Sequence, residues 1–131
     1  MIVAVCIDDN NGMMFNSRRQ SRDRELIKDF ITSAKENNVL IKPFSKILFE
    51  EYNVKTSENP LDAAEENDFC FIEDENLTPY NNKIKKLIIY KWNRVYPFDF
   101  SFEMPEGFHL EESTEFKGSS HEKITKEVYV K

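Results

Sequence analysis

Apolar positions along the chain follow two different periods. Residues 2–7, IVAVCI, form a continuous β-branched apolar run, the pattern of a strand buried on both faces in a parallel or mixed sheet. DDNNG follows at 8–12, where Asn and Gly supply turn chemistry that tolerates positive φ. From Ser21 the period changes. Leu26, Ile27, Phe30, Ile31 and Ala34 recur at helical spacing among charged residues, and Ser21 is the predicted N-cap. Asn37-Asn38 closes this helix, and VLI at 39–41 reads as a second buried strand. A strand, a helix of about four turns and a strand make a βαβ unit, for which a right-handed crossover is expected.

Pro43 opens another short helix with Ile47, Leu48 and Tyr52 on its apolar side. Residues 53–67 are polar and acidic, and Pro60 starts a single helical turn. FCFI at 69–72 is a third short buried strand, and PYNNKIKK reads as a connector. KLIIYKW at 86–92 carries the clearest strand pattern and is predicted to lie centrally. After Pro97, Phe98, Phe100 and Phe102 alternate with polar residues as in a strand. HLEESTEF and KITKEVYV, joined through KGSSHE, form a closing pair. In the second of them Ile124, Val128 and Val130 share one parity, while Thr125, Glu127 and Tyr129 share the other. The sum is an α/β fold with a mixed sheet: parallel crossovers first, an antiparallel C-terminal pair, and helices on the faces. No repeat, low-complexity tract or Gly/Ser linker interrupts the chain, so one domain over residues 1–131 is expected.

Composition narrows the classes. Forty per cent hydrophobic residues, with 11 Phe, 5 Tyr and 1 Trp, exclude a disordered chain. No apolar run approaches the roughly 20 residues that span a bilayer. The start, MIVAVCIDDNN, has no basic n-region and turns acidic, so no signal peptide is expected; no membrane partner is expected either, and the predicted location is cytoplasmic. Cys6 and Cys70 each lie inside an apolar run and read as buried free thiols acting as small hydrophobes. They are too few and too far apart for a zinc site. A formal charge of −6 argues against a general nucleic-acid binder, because phosphate neutralisation takes a broad basic face.

That acidity makes residues 12–24, GMMFNSRRQSRDR, an anomaly, since Arg18, Arg19, Arg22 and Arg24 all fall here and only Arg94 lies elsewhere. They occupy a predicted loop and first helical turn, where free N–H groups and the helix dipole add positive potential. Such a cluster suits a phosphate, a nucleotide or a carboxylate partner. Exposed cations at a helix start destabilise by roughly 0.3–1 kcal/mol each, which argues for a purpose. The alternative is a solvated or internally paired set with Asp8, Asp9, Asp23 and Glu25 as partners. Glu73, Asp74 and Glu75, with Asp8 and Asp9, gather carboxylates at predicted strand ends, but no Ca²⁺-loop spacing is present and a solvated acidic rim is expected. SSHE at 119–122 sets Ser120 beside His121, yet no nucleophile-elbow or oxyanion glycine pattern accompanies it, so a hairpin turn is expected. NRVYP at 93–97 reads as a strand exit with a bulge, its Arg94, Tyr96 and Pro97 serving the fold or a partner at the sheet edge.

The order and punctuation of these elements resemble dihydrofolate reductase. IVAVCIDDNNGMMFN is similar to that family's first strand and following loop, and SRDRELIKDF to the helix carrying its acidic residue. KKLIIYKWNRVYPFDFSFE, GFHLEESTEF and ITKEVYVK resemble its later strand and closing antiparallel pair. The resemblance carries Asp23 onto the family's acid position. It sets Lys42 and Ser45 where the family has a phosphate-holding Gly-Arg-x-Thr segment, and Glu73-Asp74 where it has a pair of glycines. Two carboxylates there would repel a pyrophosphate and fill the space glycine leaves open. The middle of the chain is also too short for the adenosine-binding strands, so the resemblance implies a chain without NADPH. The arginines around Asp23 favour its ionised form, the opposite of a carboxyl tuned to deliver protons. The expectation is therefore a degenerate, non-catalytic domain. It would bind an anionic small molecule or a protein partner through Arg18, Arg19, Arg22 and Arg24, with Lys42 and Ser45. Two alternatives stay open: an enzyme acting on a nucleotide, pterin or RNA with Asp23 as acid/base, and an interaction or inhibitor module using the acidic surface.

VCIDDNNGMMFNSRRQSRDR, together with NRVYP and SSHEKITKEVY, also resembles a group of short Firmicutes-type proteins, some of which carry a ribonuclease Z label. That chemistry needs a His-rich metal cluster, and the chain has only His109 and His121.

Overall fold

In the computed structural model, which describes residues 1–131, β1 (Ile2–Ile7) runs through the middle of a seven-stranded sheet. Its neighbours are β6 (Phe69–Phe71) and β7 (Lys86–Lys91), both parallel to it. Beyond β6 lie β4 (Val39–Ile41) and β5 (Lys55–Thr56), again parallel. Beyond β7 lies β10 (Ile124–Val130), antiparallel to it, and then the edge strand β9 (His109–Phe116), antiparallel to β10. The architecture is the mixed α/β sheet the sequence predicts. Within it β4 is not β1's neighbour, because β6 lies between them.

Alternation of side chains explains why the central strands are apolar throughout. Val3, Val5, Ile7, Leu40, Cys70, Leu87 and Ile89 enter one buried cluster. Ile2, Ala4, Val39, Ile41, Phe69, Phe71, Ile88 and Tyr90 enter another. Successive residues of a strand point to opposite faces, so a sheet covered on both sides leaves no position for a polar residue. The second cluster is closed by the helix α1 (Arg24–Ala34), through Leu26, Ile27, Phe30 and Ala34, and by Phe49 of the 3₁₀ helix Pro43–Phe49. Phe30, Phe49, Phe69 and Phe71 meet edge to face at centroid distances of 5.3–6.1 Å. A polar clamp fixes α1 further: the Tyr90 hydroxyl donates to Asp29 at 2.6 Å, and Lys126 pairs with Asp29 at 2.8 Å. Burial first, and then Asp29, push the Tyr90 phenol far above its ordinary range. The first cluster lies under the short helix α2 (Pro60–Ala63) and the 3₁₀ helix Thr78–Lys83.

Two local expectations need correction. The N-cap of α1 is Asp23, not Ser21, and the helix spans 11 residues, about three turns. The Phe98–Phe102 alternation does not form a full strand. Only β8 (Phe100–Ser101) pairs, with β2 (Gly12–Phe15), in a separate three-stranded sheet completed by β3 (Arg18–Arg19). Phe102 is buried but Phe98 is 40% exposed, so the two do not share one covered face. PYNNKIKK is the connector expected, between β6 and β7, and the 3₁₀ helix Thr78–Lys83 extends into it. Both thiols are free, and burial pushes that of Cys70 up to about 12, which leaves it inert at neutral pH.

Candidate ligand cleft at the start of the long helix

Asp23 lies at the centre of a buried knot. One carboxylate oxygen accepts from the backbone N–H groups of Glu25 (2.9 Å), Leu26 (3.2 Å) and Ser119 (2.9 Å). The other accepts from Ser120 N–H at 2.7 Å and faces His121 Nδ1 at 3.0 Å. A carboxylate only accepts, so Nδ1 carries a proton toward Asp23. Nε2 lies 3.2 Å from the Ser21 hydroxyl and 3.0 Å from the Tyr96 hydroxyl, while the imidazole stacks on Trp92 at 4.7 Å. Burial by itself would raise the Asp23 pKa. The N–H donors of Ser119 and Ser120, His121 and Leu26 outweigh it and hold the carboxyl down at about 2. The direction is the one expected from the sequence, but backbone donors cause it rather than arginines. Gly118 is part of the same knot, because a Cβ there would lie 2.4 Å from Asp23 Oδ2.

The turn between β9 and β10 is therefore more than a hairpin connection. Ser21, His121 and Asp23 do line up as hydroxyl, imidazole and carboxylate, the order that activates a nucleophile. Here Nε2 is shared with Tyr96, and the N–H groups of Ser119 and Ser120 are engaged by Asp23, so they cannot hold an oxyanion. The NRVYP segment is tied in similarly: Tyr96 N–H donates to Asp8 Oδ2 at 3.0 Å, and Asp9 N–H donates to the Arg94 carbonyl. Asp8 also accepts from Asn10 and Gly12 N–H, at 2.9 and 2.7 Å, which makes it a turn-former rather than part of an acidic rim.

The six predicted cationic and hydroxyl site residues separate into three groups. Arg19 makes a two-pronged pair with Glu73, at 2.8 and 3.0 Å, and lies over the Phe44 ring. Ser45 donates to Glu73 at 2.6 Å, and Lys42 pairs with Asp74 at 3.0 Å and Glu75 at 2.6 Å. Burial would lower the Lys42 pKa, but Glu75 and Asp74 raise it above its ordinary value. Arg19, Lys42 and Ser45 thus close onto the carboxylates that follow β6, which are ion-paired rather than solvated. Arg18 stands alone on β3, exposed and opposite Phe15. Arg22 and Arg24 flank Asp23 and are exposed, and neither takes part in any of the ion pairs.

Arg22 and Arg24 open onto a cleft of about 420 Å³ between α1 and the end of the 3₁₀ helix Pro43–Phe49. Ile27 and Leu48 give it apolar lining, Ser120 lies at the helix-start side, and Glu50, Glu51 and Tyr52 supply the remainder with Ile47. The helix start does not offer the free N–H groups the sequence suggests. Arg24 N–H donates to Ser119 Oγ at 2.9 Å, and Glu25 and Leu26 donate to Asp23. Recognition of an anion here falls to the guanidinium groups alone.

Compared by sequence, the chain matches no family model and no curated protein. Compared by structure, it is similar to dihydrofolate reductase from Enterococcus faecalis, in a complex with NADP(H) and RAB-propyl. The TM-score is 0.67 at 10% identity, over 99% of this chain and 95% of that one. The fold is dihydrofolate reductase-like. At that identity the likeness establishes the fold alone. No helix is long and apolar enough to cross a membrane, and no group of three His, Cys, Asp or Glu side chains is placed to hold a metal ion.

Sequence reasoning missed His121, Tyr96 and Trp92 as partners of the Asp23 turn, and Glu73 as the partner of Arg19. His121 is 98 residues from Asp23, and nothing local marks the pair. Glu73 did carry a signal. Parallel β4 and β6 bring their following residues, Lys42 and Glu73-Asp74, to one end of the sheet, where opposite charges pair.

Proposed function

We propose that this dihydrofolate reductase-like domain is a non-catalytic binder of an anionic small molecule, held by Arg22 and Arg24 at the cleft. The observation that carries this reading is that both arginines line a cleft of about 420 Å³ without a carboxylate partner, while Arg19 and Lys42 are fully engaged. A cleft of that size suits a small ligand. Two guanidinium forks beside a helix N-terminus favour phosphate or carboxylate, and unpaired cations in that position are otherwise unfavourable.

The state of Asp23 supports the absence of reductase-type proton delivery. A carboxyl held at about 2 by its donors carries no proton near neutrality to give away. Nor do the residues after β6 fit a dinucleotide phosphate. Glu73 is held by Arg19 and Ser45, and Lys42 is engaged by Asp74 and Glu75, so an incoming phosphate would meet carboxylates whose cations are already bound.

A thermal-shift screen of phosphates, nucleotides and folates tests the proposal. At about 100 times Kd a ligand stabilises by about 2.7 kcal/mol, roughly 10 °C for a domain of this size. The rise should vanish in the Arg22→Ala, Arg24→Ala double variant and persist in Arg18→Ala. A shift that survives the double variant assigns the anion elsewhere. Tight NADPH binding or dihydrofolate turnover by the purified protein would overturn the non-catalytic reading.

A further inference from the structure

We infer that the ligand of this cleft is dipolar, carrying a cationic group for Glu50 and Glu51 as well as an anionic group for Arg22 and Arg24. The inference rests on the anion-site reading above and extends it to the glutamates that line the same cleft. Arg22 and Arg24 lie at the start of α1, while Glu50 and Glu51 follow the 3₁₀ helix Pro43–Phe49, and all four line one cleft. All four are exposed, and none takes part in an ion pair, with each other or with any other residue. Arg19, Lys42, Lys91, Lys123 and Lys126 have carboxylate partners while the remaining lysines and arginines do not, so what sets Arg22 and Arg24 apart is the cleft they share with Glu50 and Glu51. The same cleft also has apolar lining, from Ile27 and Leu48, with Ile47 51% exposed.

This layout discriminates between ligands. A simple anion gains from the arginines but is repelled by two carboxylates in the same cleft, whereas a dipolar molecule meets a complementary charge for each of its own. A carbon chain between its poles would cover Ile27 and Leu48, which a compact ion such as phosphate cannot. Tyr52, next in the chain to Glu51, lines the same cleft, and an aromatic ring beside carboxylates favours an organic cation. The ligand class is therefore a small zwitterion with its charges separated by an apolar linker, as in an ω-amino acid.

Isothermal titration calorimetry with ω-amino acids of increasing chain length, set against the matching straight-chain carboxylates and alkylamines, tests this. At one chain length the ω-amino acid should bind roughly two- to fivefold tighter than its carboxylate, the scale of an exposed charge pair. Glu50→Gln with Glu51→Gln should erase that advantage without weakening the carboxylate. Arg22→Ala with Arg24→Ala should weaken both. Should the ω-amino acids gain nothing at any length while the arginine variant still weakens the carboxylates, the dipolar inference is wrong and the anion site stands. Should no carboxylate bind and the arginine variant change nothing, the anion site is wrong and the inference falls with it.

Discussion

Asp23 and Arg24 are neighbours in the chain and carry opposite charges, yet they belong to different kinds of site. Around Asp23 both carboxylate oxygens are filled by five donors from α1 and from the turn 98 residues away. Around Arg24, and around Arg22 on the other side of Asp23, the guanidinium groups meet no carboxylate and face a cleft. A charge that is buried and satisfied holds the fold, and its loss leaves other polar groups without partners. A charge that is exposed and unpaired is available to something outside the chain. Substitutions on the two sides of this boundary should therefore separate into those that change stability and those that change binding.

The sharpest break is Asp23→Ala. It leaves the N–H groups of Ser119 and Ser120 and the imidazole of His121 without their acceptor and removes the cap of α1. A loss of about 3–5 kcal/mol is expected in urea denaturation, on the scale of breaking a buried charged network. Gly118→Ala acts on the same knot from the other side. Its Cβ would lie 2.4 Å from Asp23 Oδ2 and 2.9 Å from Ile124 Cδ1, so about 1–3 kcal/mol should be lost through overpacking. Because the clash is largely with the Asp23 carboxylate, the two substitutions should not add. In Asp23→Ala, Gly118→Ala should cost measurably less than in the natural sequence.

Acid sharpens the comparison without a mutation. The Asp23 pKa is depressed from an ordinary 3.8 to about 2. A carboxyl depressed on folding contributes stability that is present in full above its unfolded pKa and lost as pH falls through the folded one. Its contribution is thus complete above about pH 5 and declines between about pH 4 and 2, up to about 2 kcal/mol in all. In Asp23→Asn that part of the acid dependence should disappear from a pH series of denaturation midpoints. The Arg22→Ala, Arg24→Ala variant leaves the Asp23 carboxylate with its backbone and His121 donors, so it should keep the natural profile.

The fold was largely legible in the sequence because its signals are local. The apolar runs of β1, β4, β6 and β7 state their own burial, and Leu26, Ile27 and Phe30 state the face of α1. The Phe98–Phe102 segment misled because alternation records possible faces, not which face is covered. Strand order also had to come from the structure, since short parallel strands of similar composition do not encode which of them lies beside β1. At the site, the arginine cluster was legible as an excess of charge, but its division into paired Arg19, isolated Arg18 and cleft-lining Arg22 and Arg24 was not. That division depends on Glu73, brought beside Arg19 from 54 residues away. Asp23 was found for a family role, whereas its contacts are those of a helix cap and turn anchor.

The smallest expected stability effect marks the boundary from the open side. Arg19→Ala removes one partner of a pair whose side chains are 19% and 10% exposed and leaves Glu73 with Ser45 alone. About 1–2 kcal/mol should be lost, because a half-buried carboxylate is stranded. Arg22→Ala with Arg24→Ala removes two exposed side chains that hold no ion pair, and without ligand the denaturation midpoint should move by less than about 0.5 kcal/mol. Relief of two cations at a helix start works slightly in the variant's favour. If Arg22 and Arg24 instead held the fold through contacts as Arg19 does, their removal would lower stability by a similar 1–2 kcal/mol, and the division between committed and available arginines would fail. A double variant that folds as well as the natural protein, and has lost only its response to an anion, locates that division between Asp23 and the arginines on either side of it.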